Sequence, residues 1–104
     1  MKKLLIPLAI AALALPGIAA ADAAADAKSN GCLKCHAVDK KKDGPAFKEV
    51  AKKYKGKADA EAKLTTMLAK GAKIKVDGQE EDHKVVKGGD AAVAGGIAKW
   101  ILAM

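Results

Sequence analysis

Cys32-Leu33-Lys34-Cys35-His36 is the stretch on which the reading of this chain turns. Within one helical turn, Cys32, Cys35 and His36 stand at i, i+3 and i+4 and so share a face. Cys-x-x-Cys-His is the spacing by which c-type haem is attached. Two thiols can bond to the two vinyl groups of the ring while the adjacent imidazole binds its iron from one side. No other run of the sequence combines so many reactive side chains in so little space. The expectation is a haem at this point, with the rest of the chain wrapped around it.

On the N-terminal side, Met1-Lys2-Lys3 is a basic start and residues 4–15 are almost wholly apolar. Pro16-Gly17 breaks that run, and small residues follow through Ala25. This is the pattern of a secretory signal peptide, assigned to residues 1–21 with the cut between 19 and 23. The alternative, a retained membrane anchor, is disfavoured by two prolines, a marginal span and the small residues. Residues 22–104 then form one domain, and a 21-residue leader leaves 83 of the 104 residues. A chain that short has difficulty burying enough apolar surface by itself. Its single Trp, single Tyr and single Phe add little bulk, so a haem would supply the missing core.

All 19 basic residues are lysines, and without Lys2 and Lys3 the remaining 17 face 12 acids, a formal +5. Two haem propionates would lower that to about +3. With no arginine and almost no aromatic residue among the charges, nothing points to nucleic acid. Most of these lysines serve solubility. Some are expected to ring a cofactor edge and steer acidic partners.

C-terminal to the motif the spacing predicts helices. A first helix starts near Asp22 and runs to Gly31. A lysine-rich loop follows, and Gly44-Pro45 opens a second helix with Pro45 in its first turn. Phe47, Val50, Ala51 and Tyr54 form the inward stripe of that helix, and Gly56 stops it. Asp59 caps a third helix carrying Leu64, Met67 and Leu68, which ends at Gly71. A last helix starts at Asp90 and turns Val93, Ile97, Trp100 and Ile101 inward. Its Gly95-Gly96 pair costs about 2 kcal/mol against alanine, which suggests a close backbone crossing with Gly31 and the first helix's alanines. The 18 residues from Ala72 to Gly89 show no helical period, apart from a possible ribbon of Lys73 to Val76 with His83 to Val85 around Asp77-Gly78. Unstructured segments of that size tend to be functional. The fold class is all-α, about four short helices around one haem.

Taken together, these pieces resemble a small bacterial class I cytochrome c from end to end of the mature chain. They are Gly31-Cys32-Leu33-Lys34-Cys35-His36, Gly44-Pro45-Ala46-Phe47 with Val50 to Tyr54 behind it, Asp59-Ala60, and Lys99-Trp100-Ile101-Leu102. The resemblance implies a periplasmic carrier of single electrons with one covalent haem c and its iron. It implies that Cys32 and Cys35 form the thioethers and that His36 is the proximal ligand. It also implies that the carbonyl of Pro45 accepts a hydrogen bond from the second ring nitrogen of His36, which would fix the tautomer.

One departure stands out. The family usually supplies a distal methionine from the loop before the last helix, often with a tryptophan nearby, and residues 72–89 hold neither. The remaining methionines are Met67, at a core-spaced position, and Met104, the last residue. His83 is in the right segment and is taken as the distal ligand. The ordinary alternative is a solvated histidine made more basic by Glu80, Glu81 and Asp82. An electron carrier with bis-histidine iron is thus the leading expectation, and a binder of small gaseous ligands with an open or labile distal site the alternative. A Cys2His2 zinc module made of Cys32, Cys35, His36 and His83 is more remote. So is a redox disulfide, which lacks its usual βαβ surroundings. Catalysis is not expected: no His/Arg pair is present. The expected partner is a redox protein docking an acidic surface against Lys34, the lysines at 40–42, Lys73, Lys75, Lys84 and Lys87.

Overall fold

The structure, a computed structural model, describes residues 17–104, so the basic and apolar parts of the expected leader lie outside the described residues. The elements are α1 (Gly17–Ser29), the single turn α2 (Cys32–Cys35), α3 (Phe47–Tyr54), α4 (Ala60–Lys70), strands β1 (Lys73–Val76) and β2 (Gln79–Asp82), a 3-10 turn at Lys87–Gly89, and α5 (Ala91–Leu102). No described helix is long and apolar enough to cross a membrane.

Helix α5 is the central element, packing against α1, α3 and α4. Its first turn is set by Asp90, whose Oδ1 accepts from the N–H groups of Ala92 and Val93 at 2.9 and 3.3 Å. This satisfies donors that a helix start otherwise leaves open. Ile97 is fully buried, with Ile101, Ala94 and Ala98 on the same side. Facing α5, α1 contributes buried Ala23 and Ala27, α3 contributes Phe47 and Ala51, and α4 contributes Leu64 and Leu68. Val50, Tyr54, Val93 and Trp100 pack against this cluster from its rim. The inward stripes of α3, α4 and α5 are those expected from the apolar spacing, except that Met67 of α4 is half-buried and lies outside the cluster.

Four expectations need correction, besides the cap expected at Asp59. Helix α1 begins at Gly17, ahead of Asp22. Helix α3 starts at Phe47 after Ala46, so Pro45 precedes the helix instead of sitting in its first turn. The residues after Ala72 are not structureless: β1 pairs antiparallel with β2 from Lys73↔Asp82 to Val76↔Gln79. The ribbon thus turns at Asp77-Gly78 as expected, but its second strand is Gln79–Asp82, and His83 to Val85 lie beyond it. The fourth concerns Gly95-Gly96. A Cβ on Gly95 would meet only Thr65 of α4, at 3.9 Å, and one on Gly96 would meet nothing within 4 Å. No close approach by Gly31 requires the pair; the α1–α5 contact is made by small buried alanines instead.

Asp59 does precede α4, yet its side chain makes no capping bond. It pairs with Lys63 at 3.0 Å, which holds its carboxyl below the ordinary carboxylate range, through the hydrogen bond first and the lysine charge second. The four side-chain ion pairs described are all exposed, and such pairs contribute little. Stability therefore rests on the apolar cluster. Ile97→Ala is expected to cost about 3 kcal/mol in denaturant unfolding.

Candidate haem site

Helix α1 ends at Ser29, and Gly31 adopts φ +75°. Such a left-handed turn suits glycine and redirects the chain into Cys32. The four residues of α2 form one turn closed by the N–H of His36 on the carbonyl of Cys32 at 3.0 Å. His36 is itself extended, at φ −125° and ψ 154°. It therefore leaves the helical face that its i+4 spacing would give it, and its ring swings toward the loop before α3.

That loop is folded back onto the motif. Gly44 N–H donates to Cys35 O at 2.7 Å, and the N–H groups of Phe47 and Lys48 donate to Ala37 and Val38 at 2.9 and 3.1 Å. Nδ1 of His36 lies 2.6 Å from the carbonyl of Pro45. A carbonyl only accepts, so Nδ1 carries the proton and Nε2 keeps its lone pair. The contact implied by the resemblance for Pro45 is therefore present. The ring also stacks on Phe47, centroids 5.1 Å apart and planes 22° apart, and Phe47 meets Trp100 edge-on at 5.6 Å. Gly44 forms the remaining wall: a Cβ there would sit 2.7 Å from Nδ1 of His36 and nearer still to Cε1.

Cys32 is half-buried and Cys35 exposed, both as free thiols. Burial raises the pKa of Cys32, opposed by a backbone hydrogen bond and by the charge of Lys84. Lys84 Nζ lies beside the same turn, 3.4 Å from where a Cβ of Gly31 would be.

His83 follows β2 immediately. Its N–H donates to Ala72 O at 2.7 Å, which extends the ribbon's pairing by one bond to the end of α4. Its Nδ1 donates to the carbonyl of Lys84 at 2.9 Å, again leaving Nε2 free as a lone-pair donor. Burial lowers its pKa, the Lys84 carbonyl opposes that shift, and His36 adds to it. His83 is thus half-buried, with its pKa pushed down and not up as the ordinary reading has it. Its acidic neighbours Glu80, Glu81 and Asp82 are exposed while the imidazole is half-buried. The two histidine rings face each other at 6.2 Å between centroids, with planes 42° apart.

The other donors lie elsewhere. Met67 is half-buried on α4, and Met104 is exposed at the chain end, lining a cleft between α3 and the end of α5. Among the described residues no three His, Cys, Asp or Glu side chains are grouped to hold a metal ion, which removes geometric support for the zinc module. Gly44 was missed as a site residue at the level of sequence. There it was read as a helix start and, with Pro45-Ala46-Phe47, as one of the pieces that carry the resemblance.

A model of the family described as "Cytochrome c" matches residues 20–98. This chain belongs to the cytochrome c family. It is similar to cytochrome c-552 of Nitrosomonas europaea, 42% identical over 96 residues that cover 92% of this chain and 90% of that one. Cytochrome c-551 of Pseudomonas aeruginosa is 37% identical over 75 residues, 72% of this chain and 69% of the relative. Among solved structures, the class 1 cytochrome MtoD from Sideroxydans lithotrophicus ES-1 superposes with a TM-score of 0.73 at 50% identity, covering 80% of this chain and 94% of that one. Wild-type Nitrosomonas europaea cytochrome c552 gives 0.65 at 34% identity, covering 77% and 96%. The fold is therefore that of a class I cytochrome c, the cofactor of this cytochrome is one covalent haem c with its iron, and its role is electron transfer with redox partners.

Gly44→Ala tests the packing around His36. It is expected to cost the haem-loaded protein about 2 kcal/mol through overpacking, read by thermal or denaturant unfolding.

Proposed function

We propose that this cytochrome c is an exported, periplasmic electron carrier whose iron is held by two histidines, His36 on the proximal side and His83 on the distal side. Cys32 and Cys35 form the two thioethers. The observation that carries the reading is the 6.2 Å separation of the two imidazoles, each with Nδ1 on a backbone carbonyl. An imidazole nitrogen lies about 2.0–2.1 Å from a bound transition metal. A metal shared by two such rings therefore puts their centroids roughly 6 Å apart. The 6.2 Å spacing matches that figure, and with each Nδ1 bonded to a carbonyl, each Nε2 keeps its lone pair.

Bound haem supplies a one-electron iron couple. The residues around it keep the cost of changing charge small. Pro45 and Lys84 hold the two rings in one tautomer and make their free nitrogens more basic. Phe47 and Gly44 fix the plane of His36 from two sides. Replacing the family's usual methionine by a second imidazole places the reduction potential below that of methionine-ligated relatives, because methionine ligation raises it.

Export rests on the leader read in residues 1–21 and on the family's covalent cofactor. Docking rests on charge. Lys34, Lys40, Lys41, Lys75, Lys84 and Lys87 are exposed and have no ion-pair partner among the described residues. Lys73 is engaged by Asp82 at 2.6 Å and Lys42 by the carbonyl of Leu33 at 2.9 Å. An acidic partner surface complements the free set, and electron exchange with it slows as salt rises. A rate indifferent to ionic strength counts against that docking mode.

His83→Ala is expected to leave the haem attached while making the ferrous form high-spin or open to carbon monoxide. An unaltered low-spin spectrum excludes His83 as ligand. Acid is a second test. Protonating Nε2 of His83 removes the lone pair that would bind iron, so acidification is expected to convert the low-spin visible spectrum to a high-spin one.

A further inference from the structure

His83 lies on a short strap, residues 83–89, between the ribbon and α5. Two of its backbone bonds reach α4 and the residues just after it: His83 N–H to Ala72 O at 2.7 Å and Val86 N–H to Leu68 O at 2.9 Å. Val86 is also in the core, 2% exposed. None of these ties the strap to the part of the chain that carries Cys32, Cys35 and His36.

One side chain does. Asn30, two residues before Cys32, accepts the N–H of Lys87 on Oδ1 at 2.8 Å, across 57 residues of sequence. Its Nδ2 donates to Asp26 O at 2.8 Å, and its own N–H donates to the same carbonyl at 3.0 Å. The amide is thus held at both ends on the last turn of α1, and its rotamer has no freedom to release Lys87 cheaply. Among the described residues it is the one hydrogen bond from strap to attachment turn.

We propose that Asn30 is a positioning residue for the distal ligand: through Lys87 it clasps the strap against the attachment turn and so sets how often His83 swings away from the iron. This rests on His83 being the distal ligand. Exogenous ligands such as carbon monoxide enter only while the strap is open, so their association rate reads the clasp directly.

The test uses the haem-loaded full chain and four variants. Asn30→Ala is expected to keep the low-spin spectrum but to bind carbon monoxide in the ferrous state about tenfold faster, the ratio that one ordinary hydrogen bond gives. The Lys87 amide should exchange its hydrogen correspondingly faster. Asn30→Asp keeps an acceptor for Lys87 but gives up the donor to Asp26 O, so both rates should fall between those of the parent and of Asn30→Ala. Asp90→Ala removes the α5 cap, lowers stability by a similar amount and should leave carbon monoxide association unchanged. Equal association rates in Asn30→Ala and the parent overturn the proposal. So does an Asn30→Asp protein as fast as Asn30→Ala, or an Asp90→Ala protein that is accelerated equally. His83→Ala separates the two ideas: if its spectrum matches the parent's, the distal assignment is what fails, whereas a changed spectrum beside unmoved Asn30 rates condemns the clasp alone.

Discussion

Two imidazoles with one lone pair each, held 6.2 Å apart by hydrogen bonds from their other nitrogens to main-chain carbonyls, are the constraint to which the surrounding elements answer. A histidine can present either nitrogen, and a metal selects whichever is unprotonated. Here the choice is made by backbone, on both sides, before any metal is considered. Because the accepting groups are the Pro45 and Lys84 carbonyls, the tautomer of each ring depends on where the loops run and needs no side-chain acceptor.

The two loops are fixed by different means. On the proximal side the chain folds tightly over itself within about a dozen residues, with Gly44 pressed on the ring and Phe47 stacked below it. On the other side His83 is delivered from afar, at the end of a ribbon whose faces are mostly exposed, and only Val86 anchors the strap in the core. Local unfolding costs least where few apolar contacts are lost. The segment that carries His83 is therefore the softer of the two.

Much of this was legible in the residues. The helical period marked α3, α4 and α5, and the aspartate before α5 acts as the cap it resembles. His83 stood out only because the usual methionine was missing, and spacing along the chain says nothing of its approach to His36. The ribbon was half-legible: Ile74 and Val76 alternate, but Gln79–Asp82 carries no apolar side to mark it as a strand, so backbone pairing alone defines it. Pro45 was placed in the wrong turn yet given the right hydrogen bond, since the bond depends on the loop reaching His36 and not on where the helix begins. Asn30 gave no signal at all, because its partner lies 57 residues away.

The tip of the ribbon has both Asp77 and Gly78 at positive φ, 50° and 80°, as a tight two-residue reversal needs. Side chains alternate faces with a period of two. Adding one residue to a strand would transpose its lysines and its apolar residues, whereas adding matched pairs to both strands would only lengthen the arm. The donor that follows would still leave the last rung beside Ala72. Growth at the apex is therefore separable from the chemistry at the base, and this short arm is where such a protein can acquire new surface without disturbing its redox centre.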